Sequence, residues 1–207
     1  MTSLAERRRE VLDSMMREAV YEGAVAVLTE HGLNGTTMDR VAAAAGMAKG
    51  SLYNHFRSKQ ELLEFVHDRA IAPMQEALDG IVKRRLPAAE KLAVISRLWR
   101  EYLVKHHAVF EFFTSDHVAK GLLTGSEQTA RSSGIKQIAA IIERGIEEGA
   151  FRPLDATAAA EMFLGASIGM MEQEFGSGAI RPVDEAVDAL IGVFLHGLCA
   201  GNGDSQA

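Results

Sequence analysis

A single cysteine, Cys199, is all the thiol chemistry this chain has, so it can form no internal disulfide and no Cys-based metal cage. Proline is sparse as well. Its four copies are Pro73, Pro87, Pro153 and Pro182, which leaves long intervals in which helix can propagate. No long apolar run exists. The most apolar stretch, residues 156–171, is interrupted by Glu161 and falls short of the ~20 residues a spanning helix needs, so no membrane partner is expected. No secretory-type apolar segment stands near Met1, so the expected compartment is the cytoplasm and the sequon Asn34-Gly35-Thr36 is expected to be idle. Positive charge is not in excess: 22 Lys and Arg face 28 Asp and Glu, a net of −6. That balance by itself does not announce a nucleic-acid partner.

The distribution of charge is more informative. Residues 1–60 carry 8 Lys and Arg against 7 Asp and Glu, whereas residues 61–207 carry 14 against 21. A faintly basic head on an acidic body is compatible with DNA binding, because the local face decides. The chain of 207 residues, 47% hydrophobic, can bury a sizeable core as one large or two small domains. Apolar residues recur at helical spacing with few β-type alternations, so the fold class is all-α, with about nine helices. Beyond the head, helices are expected at about 59–79, 87–106, 108–118, 126–148, 156–175 and 183–199. Pro73 should kink or split the first of these, while Pro87, Pro153 and Pro182 fall near helix starts.

Residues 36 to 63, TTMDRVAAAAGMAKGSLYNHFRSKQELL, hold the densest information. Thr36 is a suitable N-cap, with Asp39 three residues on in a loose capping box. Met38, Val41, Ala42 and Ala45 share a helical face, and Gly46 follows where a left-handed residue is needed. In the next element Leu52 and Phe56 sit four apart and form a buried face. The outer side carries Lys49, Gly50, Ser51, Tyr53, Asn54 and His55, with no acidic residue from Ala42 to Gln60. Those groups bond to phosphates and base edges. Ser58 and Glu61 form a capping box that opens a further helix at Lys59, a natural phosphate position. Two short helices joined by a tight turn and followed by a capped third are the layout of a helix-turn-helix.

This segment resembles the N-terminal signature of the TetR family of transcriptional regulators, through Thr-Thr, Ala-Gly, Lys-Gly-Ser-Leu-Tyr, His-Phe and Ser-Lys. The resemblance is strong over roughly residues 17–65 and diffuse over the rest, where GIEEGAFRPLDATAAAEMFLG is similar to the family's C-terminal domain. It implies a DNA-binding helix-turn-helix domain over 1–58 with an N-terminal extension, and a ligand-binding and dimerisation domain over 59–207. It also implies a homodimer on double-stranded DNA with a palindromic operator, most often a repressor released by a small-molecule effector. Positions matching Thr37, Lys49, Tyr53, His55 and Lys59 touch phosphates in such proteins, and those matching Ala48, Lys49, Ser51 and Asn54 reach bases. Position 48 is often a hydroxyl residue in the family and is Ala here, which can contact only a thymine methyl. Arg7, Arg8 and Arg9 precede the family-like region, either reaching along DNA as an arm or forming a solvated terminus blunted by Glu6 and Glu10.

In the body, Met162, Ala166 and Gly169 on one helix and Val187, Leu190 and Phe194 on another are the expected dimer interface, as two helices per subunit in a four-helix bundle. Trp99, Tyr102, Leu103, His106, Phe110, Phe113, His117, Met162, Phe163 and Met170 supply the aromatic and flexible apolar lining expected of an effector site. Ordinary core packing accounts for each of them singly. His106, His107 and His117 are of the residue type that holds haem or a metal, which leaves a haem- or metal-responsive regulator as an alternative. Their spacing matches no metal motif, however, and no cofactor is expected. Gly165-Ala166-Ser167-Ile168-Gly169 spells the G-x-S-x-G of serine hydrolases. It falls within a helical pattern with no preceding strand, so an enzyme is not the expected reading.

Overall fold

The computed structural model describes residues 3–107, 109–110 and 124–196. Among them are eight helices and no strand: α1 (Leu4–Gly35), α2 (Met38–Ala44), α3 (Lys49–His55), α4 (Lys59–Val82), α5 (Ala88–Lys105), α6 (Thr124–Glu147), α7 (Ala156–Ser177) and α8 (Val183–His196). The all-α class read from the sequence is the observed one. The helix expected at 108–118 and the end of the one expected at 183–199, with Cys199, lie outside the described residues.

The chain forms two compact units. One is built on residues up to Pro73 together with the segment His106–Thr129, the second on Met74–Lys105 and residues from Ala130 on. The division falls within α4, whereas the sequence places a boundary at 58, where α4 begins. Pro73 does not split α4, which runs from Lys59 to Val82. A proline removes one ladder bond, a loss that buried anchors on both sides of it (Leu63, Val66 and Ala70 before, Leu78 and Ile81 after) outweigh.

In the first unit, α1 begins well before the expected family-like region because Ser3 and Glu6 form a reciprocal capping box. The Glu6 N–H donates to Ser3 Oγ at 3.2 Å and the Ser3 N–H to Glu6 Oε2 at 2.6 Å. That S-x-x-E signal is local to residues 3–6 and starts the helix ahead of Arg7, Arg8 and Arg9. Val20, Ala24, Val27 and Leu28 turn one stripe of α1 inward, and Gly32 (φ 63°) breaks its last turn so that Leu33 can also be buried. Arg69 on α4 pairs with Glu18 at 2.6 Å, and the Arg17 guanidinium lies 5.7 Å from the Phe65 ring centre. Both contacts tie α1 to α4 within this unit.

In the second unit, α5 to α8 and the end of α4 surround a core of Leu78, Ile81, Leu92, Ile95, Trp99, Ile138, Ile142, Ala160 and Phe163. Phe163 and Phe194 meet edge to face, centroids 5.1 Å apart. Pro87 and Pro182 stand immediately before α5 and α8, where a missing N–H is harmless and their carbonyls accept the first helical bonds, from Lys91 and Ala186. Asp155 caps α7 by accepting from the Ala158 N–H at 3.0 Å.

Candidate nucleic-acid interface

The cap of α2 differs from expectation by one residue. Thr37, not Thr36, accepts the Arg40 N–H at 3.2 Å, while Thr36 is 1% exposed and donates its hydroxyl to the Gly32 carbonyl at 2.7 Å. Adjacent threonines are equivalent in sequence. Which one caps depends on the exit direction of α1, which the Gly32 break turns inward. With Met38, Val41 and Ala42 buried beneath, α2 is seated against α1. Gly46 adopts φ 67°, and the Met47 N–H then reaches back to the Ala42 carbonyl at 2.9 Å, closing the turn.

That turn releases α3 with Leu52 wholly buried and Phe56 packed 5.0 Å from the Phe65 ring. With the apolar side consumed, Ala48, Lys49, Gly50, Tyr53, Asn54 and His55 are exposed, Ser51 is half-buried, and Thr37 lies exposed at the start of α2. One contiguous polar surface thus gathers the residues that the sequence selects. Nothing lies within 4 Å of where a Cβ on Gly50 would stand.

Lys59 is placed differently from its companions. It is half-buried and its ammonium donates to the Leu33 carbonyl, so it ties the start of α4 to the end of α1. The Ser58–Glu61 cap is also rearranged. The Glu61 N–H donates to Ser58 Oγ at 3.2 Å, but the Glu61 carboxylate accepts from the Arg57 N–H at 2.7 Å. Two acidic residues reach the polar face that the sequence reading passed over. Asp39, on the first turn of α2, lies 2.8 Å from Lys49 Nζ. Asp13, on the N-terminal extension, lies 3.9 Å from His55 Nδ1. The hydrogen bond from Lys49 to Asp39, followed by the carboxylate's charge, raises the lysine above its ordinary range. Neither acid is within the acid-free interval 42–60, and only folding brings them there.

The sequence profile described as "Bacterial regulatory proteins, tetR family" matches residues 20–66, which span this helix-turn-helix, the second half of α1 and the start of α4. The chain is 28% identical over 141 residues to the HTH-type transcriptional regulator YhgD of Bacillus subtilis, covering 67% of this chain and 73% of that one. It is 28% identical over 139 residues to the HTH-type transcriptional repressor KstR2 of Mycobacterium tuberculosis, covering 66% of this chain and 70% of the relative. Through this segment and these relatives the chain is similar to the TetR family of transcriptional regulators. Among solved TetR-like folds, FadR from Bacillus subtilis, in complex with stearoyl-CoA, superposes with a TM-score of 0.76 at 19% identity, covering 88% of this chain and 99% of FadR. The all-helical body thus shares the fold of that regulator.

In the helical body, the residues selected as effector lining are dispersed by environment. Phe163 is wholly buried in the second unit's core, Trp99 is buried, and Met170 packs against that core. Tyr102, Leu103 and His106 are half-buried, and Phe110 is buried. Phe113 and His117 lie outside the described residues. The Trp99 indole N–H and the Gln137 side-chain carbonyl, both in the second unit, are buried without a hydrogen-bond partner among the described residues. No three His, Cys, Asp or Glu among the described residues come together in a metal-holding group. Ser167 is mid-way along α7 and donates its hydroxyl to the Phe163 carbonyl at 2.8 Å, so G-x-S-x-G here is a stretch of helix and no strained strand-to-helix elbow.

Of the residues selected for dimerisation, Met162, Ala166 and Gly169 present an exposed stripe on α7. Met162 is 67% exposed. Val187 and Leu190 are buried within the chain and Phe194 packs against Phe163, so the large apolar residue exposed on α8 is Val193, 52% exposed, with Ala189 beside it. A 3.6-residue stripe does not by itself say whether the surface it meets is the same chain or another. No helix among the described residues is long and apolar enough to cross a membrane.

Proposed function

We propose that this protein is a homodimeric, cytoplasmic repressor that holds a palindromic operator through α3 and releases it when a small, largely apolar effector binds its helical body. The carrying observation is the α2–α3 surface: Leu52 and Phe56 are buried, and Lys49, Gly50, Tyr53 and Asn54 are exposed. Thr37, Lys49, Tyr53 and His55 serve as phosphate contacts, with Lys59 acting through its hold on α1. Ala48, Lys49, Ser51 and Asn54 read base edges. The dimer forms through Met162, Ala166 and Gly169 on α7 with Val193 on α8, whose small and exposed apolar residues suit close helix approach. KstR2 is a repressor and FadR takes stearoyl-CoA, which supports repression and an apolar effector here. The Trp99 donor and Gln137 acceptor of the second unit, without partners among the described residues, support the same reading, with polar recognition at a few points. Because α4 places residues in both cores, an effector that favours one conformer of α4 and DNA that favours another weaken each other reciprocally.

The test is anisotropy binding to DNA flanking the protein's own coding region, with competitor DNA and a salt series. Lys49→Ala and Tyr53→Ala should each weaken operator binding by roughly 5- to 150-fold, the range for losing a specific or phosphate contact, while circular dichroism stays unchanged. Unaltered affinity in both variants would place the DNA face elsewhere. Gly50→Ala supplies a finer probe. With open space around the position, the methyl should stabilise α3 by up to about 1 kcal/mol, yet lower DNA affinity if backbone approaches the duplex there. A tighter-binding, more stable variant would remove close approach from the account.

A further inference from the structure

We propose that Asp39 is a built-in competitor for DNA phosphate at Lys49, so that DNA must displace an internal carboxylate before it gains the recognition helix's cation. The inference rests on the α3 face being the DNA-binding one. Lys49 Nζ lies 2.8 Å from Asp39 Oδ1 and 2.9 Å from Oδ2, so the ammonium meets both oxygens of an anion, as it would meet a phosphate. The side chains are 59% and 61% exposed, so water and DNA reach the pair without any change of fold. Asp39 acts across ten positions in sequence from α2, and it neutralises the only lysine or arginine between Ala42 and His55.

Exposed ion pairs of this kind are weak, which makes the carboxylate displaceable. Their measured strengths correspond to a reduction of DNA affinity by about 1.4- to 5-fold for each head, multiplied when both heads of a dimer engage. Once displaced, the carboxylate lies beside the phosphates and attracts a cation, so less of the counterion release from Lys49 shows in the salt dependence. The pair also holds Nζ 5.9 Å from the Tyr53 ring centre. A purely orienting role for Asp39 would therefore predict the opposite sign when it is removed.

The experiment measures anisotropy of a fluorescein-labelled mixed-sequence duplex across a salt series. It compares wild type, Asp39→Asn, Asp39→Glu, Lys49→Ala and the double variant that combines Asp39→Asn with Lys49→Ala. Asp39→Asn should bind about 1.4- to 5-fold tighter per engaged head, with a log K against log salt slope steeper by up to about 0.9 for each lysine released. Asp39→Glu should restore wild-type behaviour, and the gain should vanish once Lys49 is absent. Weaker or unchanged binding by Asp39→Asn, alongside a clear loss in Lys49→Ala, overturns the competitor role and leaves the DNA face standing. A gain that persists without Lys49 also overturns it, since the carboxylate would then act as a general repulsive charge. No effect of Lys49→Ala on any duplex removes the DNA-face reading, and this proposal with it.

Discussion

Glu174→Leu is expected to destabilise the protein by about 3–5 kcal/mol, seen as a fall of roughly 6–20 °C in the thermal melt followed by circular dichroism. Arg100 on α5 and Glu174 on α7 form an ion pair at 5% and 3% exposure, in the second unit. The guanidinium also donates to Met171 Sδ and, at 2.8 Å, to the Arg181 carbonyl, while its Nε has no partner among the described residues. Without the carboxylate, a full positive charge remains buried with only neutral acceptors, which is the costly half of any buried pair. Arg100→Met should be milder. Glu174 would still accept the Arg181 N–H at 3.2 Å, and the half-exposed Arg181 guanidinium stands 3.3 Å from Oε1, although not aligned as a hydrogen bond. The double change to Met and Leu should return close to wild-type stability, because it removes both desolvation penalties together. If Glu174→Leu alone melts within about 2 °C of wild type, water reaches the pair and the burial argument fails.

Gly23→Val should disable the DNA-binding unit, by separating α1 from α2. A Cβ at Gly23 would stand 2.8 Å from the Ala45 nitrogen and 3.1 Å from the Ala44 carbonyl carbon, which are backbone atoms with no rotamer to move into. The helices must part, and overpacking of that kind costs about 1–3 kcal/mol. The gain of up to about 1 kcal/mol from replacing a helical glycine by alanine, most of it forfeited by a β-branched valine, cannot offset this. Because α2 leads directly into α3, the displacement also tilts the recognition surface, so operator affinity should drop by about tenfold or more. Hydrogen exchange of α1–α3 amides separates the two effects: faster exchange with lost binding is the expected result. Wild-type exchange and binding would mean that the two helices slide apart without strain.

The sequence alone determined that this is an all-helical chain with a TetR-like helix-turn-helix head, and that Leu52 and Phe56 face inward while Lys49, Tyr53 and Asn54 face outward. Helical periodicity encodes which side of α3 is apolar, and Gly46 encodes where the turn must fall, since both are local in the chain. Capping was legible in kind but not in detail. Thr36 and Thr37 are interchangeable until the exit angle of α1 is set, and Glu61 turned to Arg57 rather than completing a reciprocal box. Pro73 read as a kink or a split because local rules count the lost ladder bond; the helix is not split, since the buried residues on both sides outweigh that loss. Only the tertiary structure decided which stripe of α8 was already spent on its own core, and brought Asp39 to Lys49, Asp13 to His55 and Glu174 to Arg100. Those pairs span ten to more than seventy residues, and no propensity or period carries information over such distances. Their partners are chosen by how packed helices juxtapose surfaces, which depends on every core residue at once.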